Sequence, residues 1–191
     1  VMAPKDENEL QHMLKTAVEC DGPASVRYPR GRGVGVALDE TLKPLEIGRA
    51  EILLEGADLA VFAIGYAVHP ALEAARRLRE EGIDATVVNC RFVKPLDEEL
   101  LARVASATGR VLTVEENVLA GGFGSAVLEM FEARGLTGIA VRRLGIPDEF
   151  VEHGTQAEMR RKYGIDAEGI LEAARKLAGP AKPALREVSA K

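Results

Sequence analysis

The chain has no tryptophan, and aromatic residues make up only 4% of its 191 positions. A core must therefore be built from Leu, Val, Ile and Ala, which suits α/β layers better than an aromatic-rich sandwich. Only two cysteines are present, Cys20 and Cys90, far apart and in no metal-binding or redox spacing. That excludes a disulfide framework and makes a reducing cytoplasm the expected compartment. No apolar run reaches the roughly 18 residues that a membrane span needs, and no stretch has the layout of a secretory signal peptide. No stripe of Lys and Arg stands free of acids, and the net charge is -5, which argues against a nucleic-acid surface. G-x-S-x-G, H-E-x-x-H and Walker loops are missing as well. What remains is a chain with 47% hydrophobic residues, enough for a real core.

From about residue 47 the pattern alternates between strands and helices. Strands are expected over Ile47–Leu54, Leu59–Ile64, Ala85–Asn89, Arg110–Val114 and Ile139–Arg143. Between them come helices over Ala67–Glu81 and Asp97–Ala107, each with an inward apolar face, and over Gly124–Arg134. Gly82 is suited to close the first of these. Thr155 and Glu158 fit a capping box for a short helix to about Tyr163, and Asp166 caps a last helix to about Ala178. Helices of this length between strands imply βαβ crossovers, a mostly parallel sheet and helices on both faces.

The beginning of the chain does not fit that scheme. Asp6–Glu19 predicts a helix, with Asp6 and Glu9 in capping-box spacing and Leu10, Met13, Leu14, Ala17 and Val18 on one apolar face. A short strand through Arg27 follows. This looks like the closing part of another α/β domain, joined by a surface linker at 32–46 to a domain at 47–178. Val1-Met2-Ala3-Pro4 reads like the end of a strand, so the chain is expected to be an internal or C-terminal piece of a longer protein. Residues 179–191, with Pro180 and Pro183, are expected to form a flexible tail.

Candidate chemistry concentrates in Ser25-Val26-Arg27-Tyr28-Pro29-Arg30-Gly31. Pro29 and Gly31 place Arg30 where an extended segment opens into a turn. A guanidinium there suits bidentate binding of a phosphate or carboxylate, though a plain surface arginine satisfies the same pattern. Gly121-Gly122-Phe123-Gly124-Ser125 opens a helix and could hold an anion, but it lacks the G-x-G-x-x-G spacing. Close packing of helix on sheet is the simpler explanation. Glu115 and Glu116 sit at the C-terminal end of a strand; as neighbours they point apart, which favours a structural or interface role. Arg91 and Lys94 follow another strand in the same way. His12 lies beside the first helix's apolar stripe. Neither His69 nor His153 has a ligand or base partner at useful spacing.

Several stretches taken together resemble 1-deoxy-D-xylulose-5-phosphate synthases. Met2–Leu10 and Val26-Arg27-Tyr28-Pro29-Arg30-Gly31 are similar to the end of the pyrimidine-binding domain of that family. Its C-terminal domain is matched by Arg91-Phe92-Val93-Lys94-Pro95-Leu96-Asp97, Thr113–Asn117, Gly121–Gly124, Leu144-Gly145-Ile146-Pro147-Asp148 and His153-Gly154-Thr155-Gln156. The resemblance implies a three-layer αβα, transketolase-type C-terminal domain behind a helix-strand remnant. It implies a transferase, working as a homodimer, that joins pyruvate to D-glyceraldehyde 3-phosphate with loss of CO2. The product would feed isoprenoid, thiamine and pyridoxal biosynthesis. Thiamine diphosphate and Mg2+ would carry the carbanion chemistry. Both would be held by N-terminal domains outside this chain, which is expected to bind neither and to be inactive alone. Arg30 matches the arginine that contacts the aldehyde's phosphate. No catalytic, cofactor-binding or metal-binding role passes to any residue here, Glu115, Glu116 and His153 included. Two alternatives stay open: the C-terminal region of a 2-oxoacid dehydrogenase beta subunit, which shares several of these motifs, and a non-catalytic dimerisation or regulatory module.

Overall fold

The computed structural model describes residues 1–179; most of the expected tail lies outside them. The first domain-sized feature is a five-stranded sheet. Its strands are β1 (Glu51–Leu54), β2 (Leu59–Ala63), β3 (Ala85–Asn89), β4 (Arg110–Val118) and β5 (Ala140–Ile146), in the order β1-β3-β2-β4-β5. β2 runs parallel to both β3 and β4, and β4 is parallel to β5. β1 is antiparallel to β3, with Glu51 opposite Asn89. The sheet is mostly parallel, as the alternation of strands and helices predicts. Every residue of β2 and β3 is buried, as covering both faces of parallel strands requires.

Two helices cover each face. α2 (Val68–Glu80) and α6 (Ala167–Ala178) pack on Val61, Ala63, Val87, Leu112 and Val114. α3 (Glu98–Thr108) and α4 (Phe123–Ala133) pack on Ala60, Phe62, Val88 and Val111. The result is a three-layer αβα arrangement. A short helix, α5 (Gln156–Lys162), precedes α6 and has no buried residue. The capping box expected at its start is formed: the Thr155 hydroxyl accepts from the Glu158 N–H, and the Glu158 carboxylate accepts from the Thr155 N–H.

The N-terminal segment is fastened to one end of this sheet. α1 (Glu7–Glu19) begins at Asp6, whose carboxylate accepts the Glu9 N–H at 2.8 Å. The other half of the expected capping box is absent. Glu9 turns away from the cap and is 1% exposed. Its carboxylate accepts Asn89 Nδ2 and Arg91 Nε, each at 2.8 Å, and the Lys5 N–H at 2.8 Å. Arg91 donates onward to Glu51 on β1. The buried side of α1 is consequently polar apart from Met13: Glu9, His12 and Thr16 accompany it. The apolar face read from the sequence is rotated away, and Val18 is 85% exposed.

Extended backbone completes the join. Met2 bridges Val26 in parallel and Phe92 in antiparallel fashion, so residues 1–3 run between the two segments. The strand expected through Arg27 is reduced to that single bridge. Residues 32–46 form no helix or strand, yet they are strapped to α1. The Glu7 carboxylate accepts the N–H groups of Val34, Gly35 and Val36. His12 Nδ1 accepts from the Lys43 N–H at 3.1 Å, and Thr16 Oγ1 accepts the Leu45 N–H at 2.7 Å.

Glu9→Ala would leave the Asn89 amide and the Arg91 Nε–H without their buried acceptor. Breaking a buried pair on one side costs about 3 kcal/mol. A urea titration should show a correspondingly lower midpoint, while Val18→Ser, on the exposed side of α1, should move it by less than about 0.5 kcal/mol.

Candidate functional site

Where the N-terminal segment meets the sheet, a cleft of about 380 Å3 opens. One wall is the start of α1, from Pro4 to Glu7; the other is the run Tyr28–Val34; Tyr66, just before α2, also lines it. The Gly-rich run is folded back by Glu7, and that fold needs glycine at 33. A Cβ there would stand 2.6 Å from the Glu7 carboxyl carbon. Arg30 lines the same cleft and is exposed. Its guanidinium has no acid partner or hydrogen-bond acceptor among the described residues. The neighbouring acids are already engaged: Glu7 holds backbone N–H groups, and Asp6 caps α1. Arg30 is thus a cation available to an anionic ligand.

Asp6 lies on this wall, and its ionisation is strongly stabilised. Burial works against the charge. The His69 imidazole, the Glu9 N–H and Lys5 outweigh it and bring the carboxyl down to about 2. His69 Nε2 lies 3.6 Å from the Asp6 carboxylate.

The other motifs resolve differently. Glu115 is fully buried, and its two oxygens accept the N–H groups of Phe123 and Gly124 at 2.7 Å each. The anion at the start of α4 is therefore the protein's own carboxylate. Burial pushes the Glu115 carboxyl above its ordinary value, and the two N–H groups pull it part of the way back. A Cβ on Gly122 would lie 2.4 Å from a Glu115 oxygen, and one on Gly124 would lie 2.7 Å from Thr113 Oγ1. The Gly-Gly-Phe-Gly run packs closely, and the N–H groups of Phe123 and Gly124 are already taken by Glu115.

Glu116 faces the other way, as alternation along a strand requires. Its carboxylate accepts Arg160 Nε at 2.7 Å, and the Arg160 guanidinium lies 3.4 Å from the centre of the Tyr66 ring. Arg91, at φ 56°, belongs to the Glu9 network rather than to the cleft. His12 pairs with Asp39 at 2.8 Å. His153 is exposed in the loop before α5. Sequence reading did not anticipate the part played by Gln156, whose side-chain amide donates to the carbonyl of Arg30. Nor did it anticipate Arg160 on Tyr66. Both contacts join positions that no local spacing relates. Among the described residues no group of three or more His, Cys, Asp or Glu could hold a metal ion.

This architecture has known counterparts. Residues 48–170 match the family described as "Transketolase, C-terminal domain". The chain belongs to that family. It is 64% identical over 177 residues to a 1-deoxy-D-xylulose-5-phosphate synthase of Syntrophus aciditrophicus (strain SB), covering 93% of this chain and 27% of that protein. A 1-deoxy-D-xylulose-5-phosphate synthase 1 of Geobacter metallireducens (strain ATCC 53774 / DSM 7210 / GS-15) is 62% identical over 170 residues, 89% of this chain and 27% of that protein. This transketolase C-terminal domain chain thus spans about a quarter of the length of those curated relatives. Among solved structures it is similar to a "Split gene transketolase, inactive beta4 tetramer", with a TM-score of 0.79 and 34% identity over 95% of this chain and 58% of that one. No helix among the described residues is long and apolar enough to cross a membrane.

The Asp6 carboxyl makes stability depend on acid. Its folded value, about 2, is below the unfolded value near 3.9, so its contribution is complete above that upper value. It is lost as pH falls from about 4 to about 2, and amounts to at most about 2.6 kcal/mol. Denaturation midpoints of the wild type and Asp6→Asn should therefore differ most near neutrality and converge across that window.

Proposed function

We propose that this chain is the C-terminal part of a thiamine-diphosphate-dependent synthase. The enzyme condenses pyruvate with D-glyceraldehyde 3-phosphate, releases CO2 and forms 1-deoxy-D-xylulose 5-phosphate for isoprenoid, thiamine and pyridoxal biosynthesis. The observation that carries the reading is Arg30: an exposed cation with no acid partner among the described residues, on a cleft large enough for a small phosphorylated substrate. The names of the curated relatives agree with it.

In this reading residues 1–31 close the pyrimidine-binding domain, 32–46 link it to the next, and 47–178 are the transketolase-type C-terminal domain. The apolar side of α1, with Leu14 and Val18 exposed, suits a helix that the rest of its own domain would cover. Arg30 grips the phosphate of the aldehyde, in bidentate fashion where geometry allows. The full enzyme would also use Mg2+. Thiamine diphosphate and the ion would sit in N-terminal domains of the same homodimeric, cytoplasmic enzyme. The inactive tetramer of the split-gene transketolase supports the view that such a piece does not turn over alone.

Two outcomes are expected. In the whole enzyme, Arg30→Ala should raise KM for the aldehyde phosphate about 10- to 100-fold, as the loss of a charge-assisted contact does, with KM for pyruvate nearly unchanged. The purified chain, supplied with both substrates, thiamine diphosphate and Mg2+, should form no product by a coupled assay; turnover would overturn the assignment of the catalytic machinery to the remainder of the protein.

A further inference from the structure

We infer that Gln156 is a positioning residue for Arg30, and that α5 serves to hold the Arg30 run in register with Tyr66 on the sheet side of the cleft. The inference rests on the phosphate-binding reading of Arg30 given above.

α5 buries no residue of its own, so apolar packing does not explain its place. Its capping box fixes the first turn, which sets the position of Gln156 at the helix start. The Gln156 amide donates to the Arg30 carbonyl, and it fills the space beside Gly31: a Cβ on Gly31 would lie 3.1 Å from Gln156 Nε2. Arg160 follows four residues later, on the same side of the helix. It is tied to Glu116 in the C-terminal half of β4 and stacked on Tyr66, which lines the same cleft as Arg30. One short helix therefore grips the Arg30 backbone with one side chain and Tyr66 on the sheet side of the cleft with another.

The mechanical logic follows from the flanking sequence. Arg30 is followed by Gly31, Arg32 and Gly33, a run with wide conformational freedom. A guanidinium carried by such a run loses affinity whenever its backbone wanders, because the fork must meet the phosphate at a fixed distance and angle. Glu7 restrains the run from 34 to 36, beyond Gly31 and Gly33. Gln156 restrains it at residue 30 itself. The restraint belongs to the C-terminal domain, whereas Arg30 lies in the segment before the linker.

The test uses the whole enzyme with three variants at 156. Gln156→Met keeps the length and removes the donor. Gln156→Glu keeps the shape and offers only acceptors. Gln156→Lys keeps an N–H donor within reach. The first two should raise KM for the aldehyde phosphate about three- to tenfold, the usual scale for one hydrogen bond. KM for pyruvate, kcat and the use of unphosphorylated D-glyceraldehyde should stay as they are, and Gln156→Lys should lie closer to the wild type. Arg30→Ala is run alongside. If Arg30→Ala changes the aldehyde-phosphate KM but Gln156→Met and Gln156→Glu do not, the inference fails and the phosphate reading survives. If Arg30→Ala is itself without effect, the phosphate reading fails and takes this inference with it. An equal loss on phosphorylated and unphosphorylated acceptors would mark α5 as a general support and also overturn the inference. Exposure of Gln156 makes misfolding of these variants a minor risk, and a matched thermal midpoint checks it.

Discussion

A single buried carboxylate, that of Glu9, joins the two parts of this molecule. Burying a carboxylate is costly unless its oxygens are satisfied. Glu9 meets that demand by taking donors from three separate stretches: Lys5 ahead of α1, Asn89 at the end of β3, and Arg91 beyond it. Arg91 also reaches Glu51 on the edge strand. Arg91 adopts a left-handed backbone conformation that non-glycine residues seldom take. Its carbonyl accepts the Ala3 N–H, and its guanidinium is held by two acids, so the surrounding bonds define that conformation from both sides. With α1 fixed in this way, the cleft between α1 and the Arg30 run acquires a definite shape.

The C-terminal ends of parallel strands commonly carry ligand sites. Here they are used largely for attachment. β3 ends at Asn89 and Arg91, which receive α1. In the C-terminal half of β4, Glu115 and Glu116 receive α4 and α5 respectively. Arg30, a cation on the cleft without a partner among the described residues, comes from the segment so attached. Substrate recognition, in the proposed function, then belongs to the join between domains rather than to the αβα sandwich itself.

Much of this was legible beforehand. The continuous apolar run at 59–64 marked a buried strand, amphipathic spacing marked α2 and α3, and Asp166 marked the start of α6. Arg30 stood out because proline, glycine and arginine have local consequences. The edge strand was harder: β1 covers only Glu51–Leu54 and runs antiparallel, and strand direction has no local signature. The face of α1 was misjudged because periodicity ranks apolar residues. The buried side is instead chosen by Glu9, His12 and Thr16, whose partners lie at Asn89, Lys43 and Leu45. Gln156 carried no signal, since its value depends on a carbonyl 126 positions earlier.

The carboxylate beneath α4 has a bearing on how this fold responds to its medium. Charges on the outer helices, such as Arg175 with Glu81 and Arg77 with Glu168, are open to solvent and are weakened by dissolved ions. Glu115 is sealed from solvent, so mobile ions cannot reach the field between it and the helix start. In concentrated brine the sheet's attachment to α4 would keep its electrostatic strength while the α2–α6 surface relied on apolar packing alone. Ionic strength would thus grade the molecule, leaving its centre indifferent and its periphery responsive.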